Sequence, residues 1–338
     1  MPVIQVDKIM QNDPSSARLP HEKKYENGIA FVNGQYCARN EAMIPLWDMG
    51  FIQADATYEV ATVARGRFFR LQDHFDRLAR SCEKFRLRNP YSNEQMREIF
   101  SGMLRSTGLR DAAIYWAITR GLVRPGMNPV KDRNKPHAFE NRFYASVYGY
   151  GSIATQEQRD NGLSLKISQG YIRIDPRAVD PTAKNFHWMD MKLALFEATD
   201  EGKDWTVLTD AAGYLTECAG ANIFVIKGGQ LYTPDSGCLE GITRQTALDL
   251  AGMIGVPVHV EKVHADRLRN ADDAFITSTA GGILPVNSVD GVRFEGKNGA
   301  GELATRFHNM YWEKIWGGWK CTPVDYGTAP TLPQRPGG

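Results

Sequence analysis

The sequence predicts a two-domain α+β protein, within the broad α/β class. Its 338 residues correspond to about two domains of ordinary size, and an apolar fraction of 42% is enough to form real cores. A polar run at 151–161 (G-S-I-A-T-Q-E-Q-R-D-N) separates the two halves. We therefore predict a small domain over 1–150, a linker over 151–161, a large domain over 162–321 and a disordered Pro- and Gly-rich tail over 322–338.

The N-terminal half alternates strand and helix patterns. Asn33-Gly34 predicts a hairpin turn between two short strands, and residues 58–63 predict a strand that turns at Arg65-Gly66. Apolar residues at steps of three and four then predict two helices, the first through Leu71, Phe75, Leu78, Cys82 and Phe85 and the second through Met96, Ile99, Phe100, Met103 and Leu104. Residues 111–119 and 142–150 are rich in aromatic and β-branched residues and predict strands around a long loop over 120–140.

The C-terminal half begins with a predicted strand over 163–168 and a helix near 188–201. A glycine-turned hairpin follows, and a second helix is predicted over 242–254. Another strand is predicted over 274–277, directly before the loop S-T-A-G-G. This order of elements extends the mixed architecture to the end of the predicted large domain.

Charge and composition exclude several classes of function. Forty basic residues against 39 acidic ones leave a formal charge of +1, which gives no reason to expect nucleic acid or an anionic membrane as partner. No apolar run approaches the ~20 residues needed to span a bilayer, and the N-terminus shows no signal-peptide pattern. The five cysteines are scattered without metal-ligand spacing, so we expect a reduced, cytoplasmic protein without a metal.

The segment from Tyr214 to Arg244 carries the most specific chemical signal. Glu217 precedes an apolar strand, and a carboxylate there suits a protonated ring nitrogen. Gly241-Ile242-Thr243 opens a helix, whose free amides suit a phosphate, and the small residues around Thr279 form a second donor-rich loop. Pyridoxal phosphate carries both a ring nitrogen and a phosphate. Upstream, Lys184 in D-P-T-A-K-N-F-H-W is a candidate to hold its aldehyde.

Taken singly, each of these residues also has an ordinary structural interpretation. A lysine such as Lys184 is most often a solvated surface residue, and Glu217 is most often a loop glutamate or a helix-cap partner. The start of a helix at Gly241 needs no ligand. Arg77 could bind a phosphate, but its spacing from Asp73 favours a helical ion pair.

Together the residues resemble the fold-type IV pyridoxal-phosphate enzymes over about 27–311. The resemblance rests on Glu217, Asn222-Ile223-Phe224, Leu231-Tyr232-Thr233 and the run from Leu239 to Arg244. It implies a small N-terminal α+β domain, a larger β-barrel-like C-terminal domain and a homodimer with the active site at its interface. It assigns Lys184 as the Schiff-base lysine and Glu217 as the partner of the ring nitrogen. It also assigns a phosphate cup of Arg77, Ile242, Thr243 and Thr279, with Leu239 against one face of the ring.

Within that family the chain is most similar to the (R)-selective amine transaminases. The similar residues are Thr57-Tyr58-Glu59-Val60, Arg67-Phe68-Phe69-Arg70-Leu71, Asp73-His74 and Arg77-Leu78. D-amino-acid aminotransferases carry an R-x-H carboxylate trap, whereas Arg124 lacks a histidine two residues on, and Gln53 stands where the amine transaminases usually have histidine. The residues we expect to contact substrate are Gln53, Tyr58, Val60, Arg124, Trp188 and Ala280.

The resemblance implies ping-pong transamination between an amine and a keto acid such as pyruvate. Lys184 would act as general base and acid, and Arg124 would meet the carboxylate of the keto acid. The alternatives are a D-amino-acid or branched-chain amino-acid aminotransferase, or a lyase of the aminodeoxychorismate type. A non-catalytic binding protein is a further alternative, which the presence of both Lys184 and Glu217 disfavours.

Overall fold

The computed structural model describes residues 1–294 and 299–327. These residues form two compact units. The N-terminal unit comprises 10–151, the short segment 183–186 that contains Lys184, and 318–327; the C-terminal unit comprises 1–9, 152–182 and the described residues of 187–317. Among the described helices, none is long and apolar enough to cross a membrane.

The helices and strands follow one another in the order below. The helices are Val6–Asn12 (α1), Met49–Ile52 (α2), Leu71–Lys84 (α3), Asn93–Thr107 (α4), Gln156–Asn161 (α5), Met189–Asp200 (α6), Ile242–Ile254 (α7), Ala265–Arg269 (α8) and Glu302–Trp316 (α9). The strands are Ile29–Val32 (β1), Gln35–Ala38 (β2), Ala56–Ala64 (β3), Arg67–Phe69 (β4), Ala112–Val123 (β5), Phe139–Gly149 (β6), Leu163–Ile167 (β7), Trp205–Thr209 (β8), Leu215–Cys218 (β9), Asn222–Lys227 (β10), Gln230–Thr233 (β11), Val258–Val260 (β12), Asp273–Ser278 (β13), Gly282–Val289 (β14), Val292–Arg293 (β15) and Cys321–Pro323 (β16).

The N-terminal unit is a seven-stranded antiparallel sheet with strand order β16-β4-β3-β5-β6-β1-β2. Helices α3 and α4 cover one face, because their predicted apolar stripes are the residues that meet the strand side chains in the core. Along β3 the side chains alternate between the two faces. Ala61 and Val63 point into this core, so Glu59 and Thr57 lie on the helix-covered face, and Tyr58 and Val60 lie on the other.

The C-terminal unit is a mixed nine-stranded sheet with the order β12-β11-β10-β13-β14-β7-β8-β9, to which β15 adds beside β14. A tight turn bridged between Cys218 and Ala221 links β9 directly to β10, so the sheet curls back on itself as a barrel does. Aliphatic side chains fill its interior. The stacked rings of Phe224, Phe275 and Phe307 lie between the sheet and α9.

Most predicted elements are present, including α3, α4, the β1–β2 hairpin and α7. The loop predicted over 120–140 is shorter in the structure, because β5 continues to Val123 and β6 starts at Phe139. Part of the predicted linker is the helix α5, which a capping box of Thr155 and Gln158 begins.

The predicted tail also differs at its start. Thr322 and Pro323 belong to β16, which pairs with β4, and Val324 is buried in the core of the N-terminal unit. The prediction of a disordered segment is therefore wrong for these residues, because pairing with a strand of distant sequence orders them. The rest of the predicted tail, 328–338, lies outside the described residues.

Candidate active site

Lys184 is held in the N-terminal unit by its backbone. Its carbonyl oxygen accepts a hydrogen bond from the Thr57 hydroxyl (2.6 Å), and its amide donates to the Ser81 hydroxyl (3.1 Å). A β-bridge between Thr57 and Asn185 extends the attachment to β3. A side chain on so well-anchored a backbone has a restricted range of positions, which is what a residue that forms a covalent bond at a fixed point requires.

An aromatic ring contacts the Lys184 ammonium, and two further rings pack against that ring. Its Nζ lies 4.4 Å from the centre of the Tyr58 ring, a cation–π distance. The Tyr58 ring centroid is 4.8 Å from that of Phe186 and 5.5 Å from that of Tyr115. Val60, half-buried, pairs across the sheet with Tyr115. The structure thus brings together Lys184, Tyr58 and Val60 of the predicted site.

Arg77 forms a buried ion pair with Glu59. Its Nε donates to Oε1 and its Nη2 to Oε2, each at 2.7 Å, while His74 Nδ1 lies 2.8 Å from Oε2. The expected pair with Asp73 is wrong, since Asp73 contacts Arg70 instead. Burial alone would raise the pKa of Glu59, but Arg77 and His74 lower it to about 2. Burial lowers the pKa of His74, so His74 is neutral and donates through Nδ1 to the ionised carboxylate.

Glu217 is the centre of a second buried network, in the C-terminal unit. Arg173 Nε donates to Glu217 Oε1 at 2.8 Å, and the Leu239 amide donates to Oε2 at 3.1 Å. The other arm of Arg173 donates to Asp190 at 2.6 Å. Burial would lower the pKa of Arg173, but the carboxylates of Glu217 and Asp190 raise it. Glu217 is therefore oriented and paired with a permanent cation.

The start of α7 lies next to this carboxylate along the chain and in space. Asn222, at the start of β10, donates from Nδ2 to the Leu239 carbonyl (2.8 Å), so Glu217 and Asn222 hold Leu239 from both sides. Gly241 is required here, because an added Cβ would lie 2.1 Å from Asn222 Oδ1. Among residues 1–294 and 299–327, no acceptor engages the backbone amides of the buried residues Ile242 and Thr243.

These groups fit the cofactor predicted from the sequence. Uncapped amides at a helix start suit a phosphate, and an oriented carboxylate suits a protonated ring nitrogen. In the same unit Thr279 and Ala280 are half-buried in the loop after β13, where the Ala280 carbonyl accepts from the Ile153 amide. The N-terminal unit offers an amine at Lys184 and a guanidinium at Arg77.

The other predicted substrate residues belong to different elements. Gln53 is exposed at the end of α2, and Arg124 is exposed with its Nε donating to the Phe139 carbonyl at 3.1 Å. Trp188 precedes α6 in the C-terminal unit and packs so closely on Gly220 that a Cβ there would lie 2.6 Å from its ring. Its partners in that unit are apolar side chains of α6, β8 and Ala219.

Sequence reasoning did not identify Glu59, His74, Arg173 and Asp190 as parts of these networks. Glu59 carried a local signal, since it is a charged residue within the apolar strand β3 at a position of the buried face. Arg173 carried no local signal, because its partner Glu217 is 44 residues away and the loop around Arg173 has no periodicity. Long-range partners of this kind are set by packing.

Comparison with known proteins places the chain in a family. Residues 56–289 match the family model described as amino-transferase class IV. A D-alanine aminotransferase of Listeria innocua is 30% identical, over 84% of this chain and 95% of the relative. A putative branched-chain-amino-acid aminotransferase of Methanocaldococcus jannaschii is 29% identical, over 83% of this chain and 94% of the relative.

Solved structures agree with this assignment. The Escherichia coli branched-chain amino acid aminotransferase superposes with a TM-score of 0.81 at 25% identity, covering 88% of this chain and 100% of the other. The branched-chain enzyme of T.th., solved with pyridoxamine 5'-phosphate, has a TM-score of 0.79 at 27% identity, with 88% and 99% covered. With the fold, the buried carboxylate and the uncapped helix start in place, the chain belongs to the class IV aminotransferases, which are fold-type IV enzymes that transfer amino groups with pyridoxal phosphate.

Proposed function

We propose that this aminotransferase moves the amino group of an (R)-configured primary amine to a keto acid such as pyruvate. The observation that carries the proposal is the aromatic surface beside Lys184, formed by Tyr58, Tyr115 and Phe186. Such a surface binds an apolar substituent at the carbon that bears the amine, and it offers no cation for a carboxylate. The residues Arg67-Phe68-Phe69-Arg70 support the (R) preference by their similarity to amine transaminases, whereas Tyr58-Glu59-Val60 is a pattern that D-amino-acid aminotransferases share.

The arginine that follows Thr119 supports the same conclusion. Arg120 is buried and donates to both carboxylate oxygens of Asp55, at 2.8 and 3.0 Å, and to the carbonyls of Phe85 and Arg86, each at 2.7 Å. Four of its five N–H donors are used within the N-terminal unit, which holds it away from the role of trapping the carboxylate of an amino-acid donor. Arg124 is exposed, and within the described residues its side chain is bonded only through Nε, which leaves its Nη atoms for a keto acid.

We assign the cofactor contacts as follows. Lys184 holds the aldehyde of pyridoxal phosphate, Glu217 pairs with the ring nitrogen, and Leu239 packs against the ring. Arg77, Ile242, Thr243 and Thr279 bind the phosphate. When bound, pyridoxal phosphate supplies an aldehyde that condenses with amines and a ring that accepts the electron pair of the substrate's Cα–H bond.

The side chains of the protein then supply proton transfer and orientation. The Lys184 amine takes the proton from the substrate's Cα and returns a proton in the second half-reaction. Glu217, oriented by Arg173, holds a proton at the ring nitrogen. Tyr58 and Val60 orient the apolar substituent, while Gln53, Trp188 and Ala280 are the remaining substrate contacts that we propose.

The test compares four amino donors with pyruvate as acceptor: (R)- and (S)-1-phenylethylamine, D-alanine and L-leucine. We expect kcat/KM to be highest for the (R)-amine, and Lys184→Ala to abolish turnover and the absorbance of the lysine-bound cofactor. Activity on L-leucine alone would refute the substrate proposal. As a check on the acceptor site, Arg124→Ala should raise KM for pyruvate by about ten- to 100-fold, the value of hydrogen bonds to a charged group, and leave KM for the amine unchanged.

The second candidate is a D-amino-acid aminotransferase. It is favoured by the relatives named D-alanine aminotransferase, which are 30–31% identical over 84% of this chain. A D-alanine kcat/KM above that of the (R)-amine would select it. A branched-chain enzyme, which the solved relatives represent, would instead show its highest kcat/KM with L-leucine.

We also propose a homodimer in the cytoplasm. The supporting feature is an exposed apolar segment in the N-terminal unit that contains Leu46, Trp47 and Phe51. Asp48, which is buried, holds this segment by accepting from the Gly50 amide, the Thr119 hydroxyl and the Tyr144 hydroxyl. The five free cysteines support a reducing compartment. Sedimentation of the wild-type chain and of Trp47→Ser tests the dimer, which the substitution should weaken.

A further inference from the structure

We propose that Glu59 is a positioning residue for the cofactor phosphate, because it fixes the guanidinium of Arg77 in one orientation. The inference rests on the proposed function, in which Arg77 binds that phosphate. Glu59 itself touches neither substrate nor cofactor in this proposal. It acts only through Arg77.

The contacts of Glu59 are those of a rigid clamp. Its side chain is 0% exposed and that of Arg77 is 3% exposed, so water does not compete for either. The two parallel bonds of 2.7 Å form a fork that sets both the position and the plane of the guanidinium. Lysine could not replace Arg77 in this fork, because an ammonium has no planar pair of donors.

His74 completes the clamp. Its Nδ1, at 2.8 Å from Oε2, donates to the oxygen that also accepts from Arg77 Nη2. Since Glu59 lies in the strand β3 and both donors lie in the helix α3, the clamp joins two elements of the N-terminal unit. The fork engages Nε and Nη2 of Arg77.

The negative charge of Glu59 makes the proposal testable, because charge and orientation predict opposite changes in the affinity for pyridoxal phosphate. A carboxylate next to Arg77 cancels much of the attraction that the guanidinium exerts on a phosphate. If charge alone governed cofactor affinity, removing the negative charge would tighten pyridoxal phosphate binding. If orientation governs it, removing the fork would weaken binding in spite of the favourable change in charge. The two explanations therefore predict opposite results for Glu59→Gln.

The experiment titrates the apo form of the full chain with pyridoxal phosphate and, separately, with pyridoxal, which lacks the phosphate. For Glu59→Gln we expect the Kd for pyridoxal phosphate to rise about tenfold or more, the loss of one to two hydrogen bonds to a charged group, with less than a twofold change for pyridoxal. Glu59→Asp keeps the charge but is one methylene shorter, so it should behave in the same way. Arg77→Lys keeps the positive charge beside Glu59 but loses the fork, so it should also raise the Kd for pyridoxal phosphate.

The control is Asp111→Asn, which alters a half-buried carboxylate of the same unit outside the clamp, where it accepts from the Arg65 amide. It should leave both Kd values within twofold of wild type. The inference is overturned if Glu59→Gln binds pyridoxal phosphate as tightly as wild type or more tightly. It is also overturned if both ligands bind more weakly by the same factor, or if Asp111→Asn weakens pyridoxal phosphate binding as much as Glu59→Gln does.

Arg77→Ala separates this inference from the function on which it rests. If Arg77→Ala leaves the Kd for pyridoxal phosphate unchanged, the assignment of Arg77 to the phosphate is wrong. If Arg77→Ala weakens it and Glu59→Gln does not, only the positioning role fails. Should Glu59→Gln not yield folded protein, Arg77→Lys and Glu59→Asp decide the question by the same two titrations.

Discussion

Replacing Arg173 by methionine should be among the most destabilising single changes in the C-terminal unit. Arg173 pairs with Glu217 and Asp190, whose side chains are 6% and 17% exposed. Without Arg173, Asp190 keeps the amides of Ile174 and Met191 as donors, each at 2.8 Å, whereas Glu217 keeps the longer bond from the Leu239 amide, at 3.1 Å. A buried carboxylate that loses its cation in this way costs about 3–5 kcal/mol of unfolding free energy.

The assay is equilibrium unfolding in urea, with the free energy of unfolding taken from the midpoint and slope. Lys227→Met is the matched control, since it breaks an ion pair of the same unit whose side chains are 52% and 50% exposed. That control should cost less than about 1 kcal/mol. Combining Arg173→Met with Glu217→Gln should recover part of the loss, because the amide no longer leaves a buried charge without its cation.

A loss from Arg173→Met within about 1 kcal/mol of the control would refute the reasoning, because a buried charge would then have lost its cation at almost no cost. A double variant that loses the full sum of its single changes would show that Arg173 and Glu217 act independently, contrary to their 2.8 Å contact.

Three further substitutions test other contacts within the C-terminal unit. Gly241→Ala places a Cβ 2.1 Å from Asn222 Oδ1, so thermal unfolding should show a loss of about 1–3 kcal/mol and titration a higher Kd for pyridoxal phosphate. Gly220→Ala combines a positive φ of +70° with a contact of 2.6 Å to Trp188, and its loss should exceed that of an Ala substitution at Gly252, a helical glycine with open space around it. Burial lowers the pKa of His308 from 6.5 to about 4, so between these pH values the unfolded chain binds more protons than the folded chain. The free energy of unfolding should therefore fall by up to about 3 kcal/mol as the pH drops from 6.5 to 4. Urea unfolding of His308→Gln across that range should show a smaller fall, and an unchanged slope would contradict this explanation.

The sequence alone determined the local elements and the most specific chemical groups. Periodicity predicted α7 at Ile242–Ile254, and Asn33-Gly34 predicted the hairpin of β1 and β2, because both signals act over a few neighbouring residues. The run from Tyr214 to Arg244 likewise indicated a carboxylate close to a helix start. The structure shows Glu217 and the residues before α7 joined through Leu239.

Only the tertiary structure decided which charges pair. Spacing along α3 favoured Asp73 as the partner of Arg77, but packing of the helix on the sheet presents Glu59, which is 18 residues away and fully buried. The pair of Arg173 with Glu217 and the strand formed by Cys321–Pro323 against β4 also join distant residues. A local pattern carries no information about such partners, because the packing of distant elements decides which opposite charges meet. Burial then strengthens the attraction between the charges that packing has brought into contact.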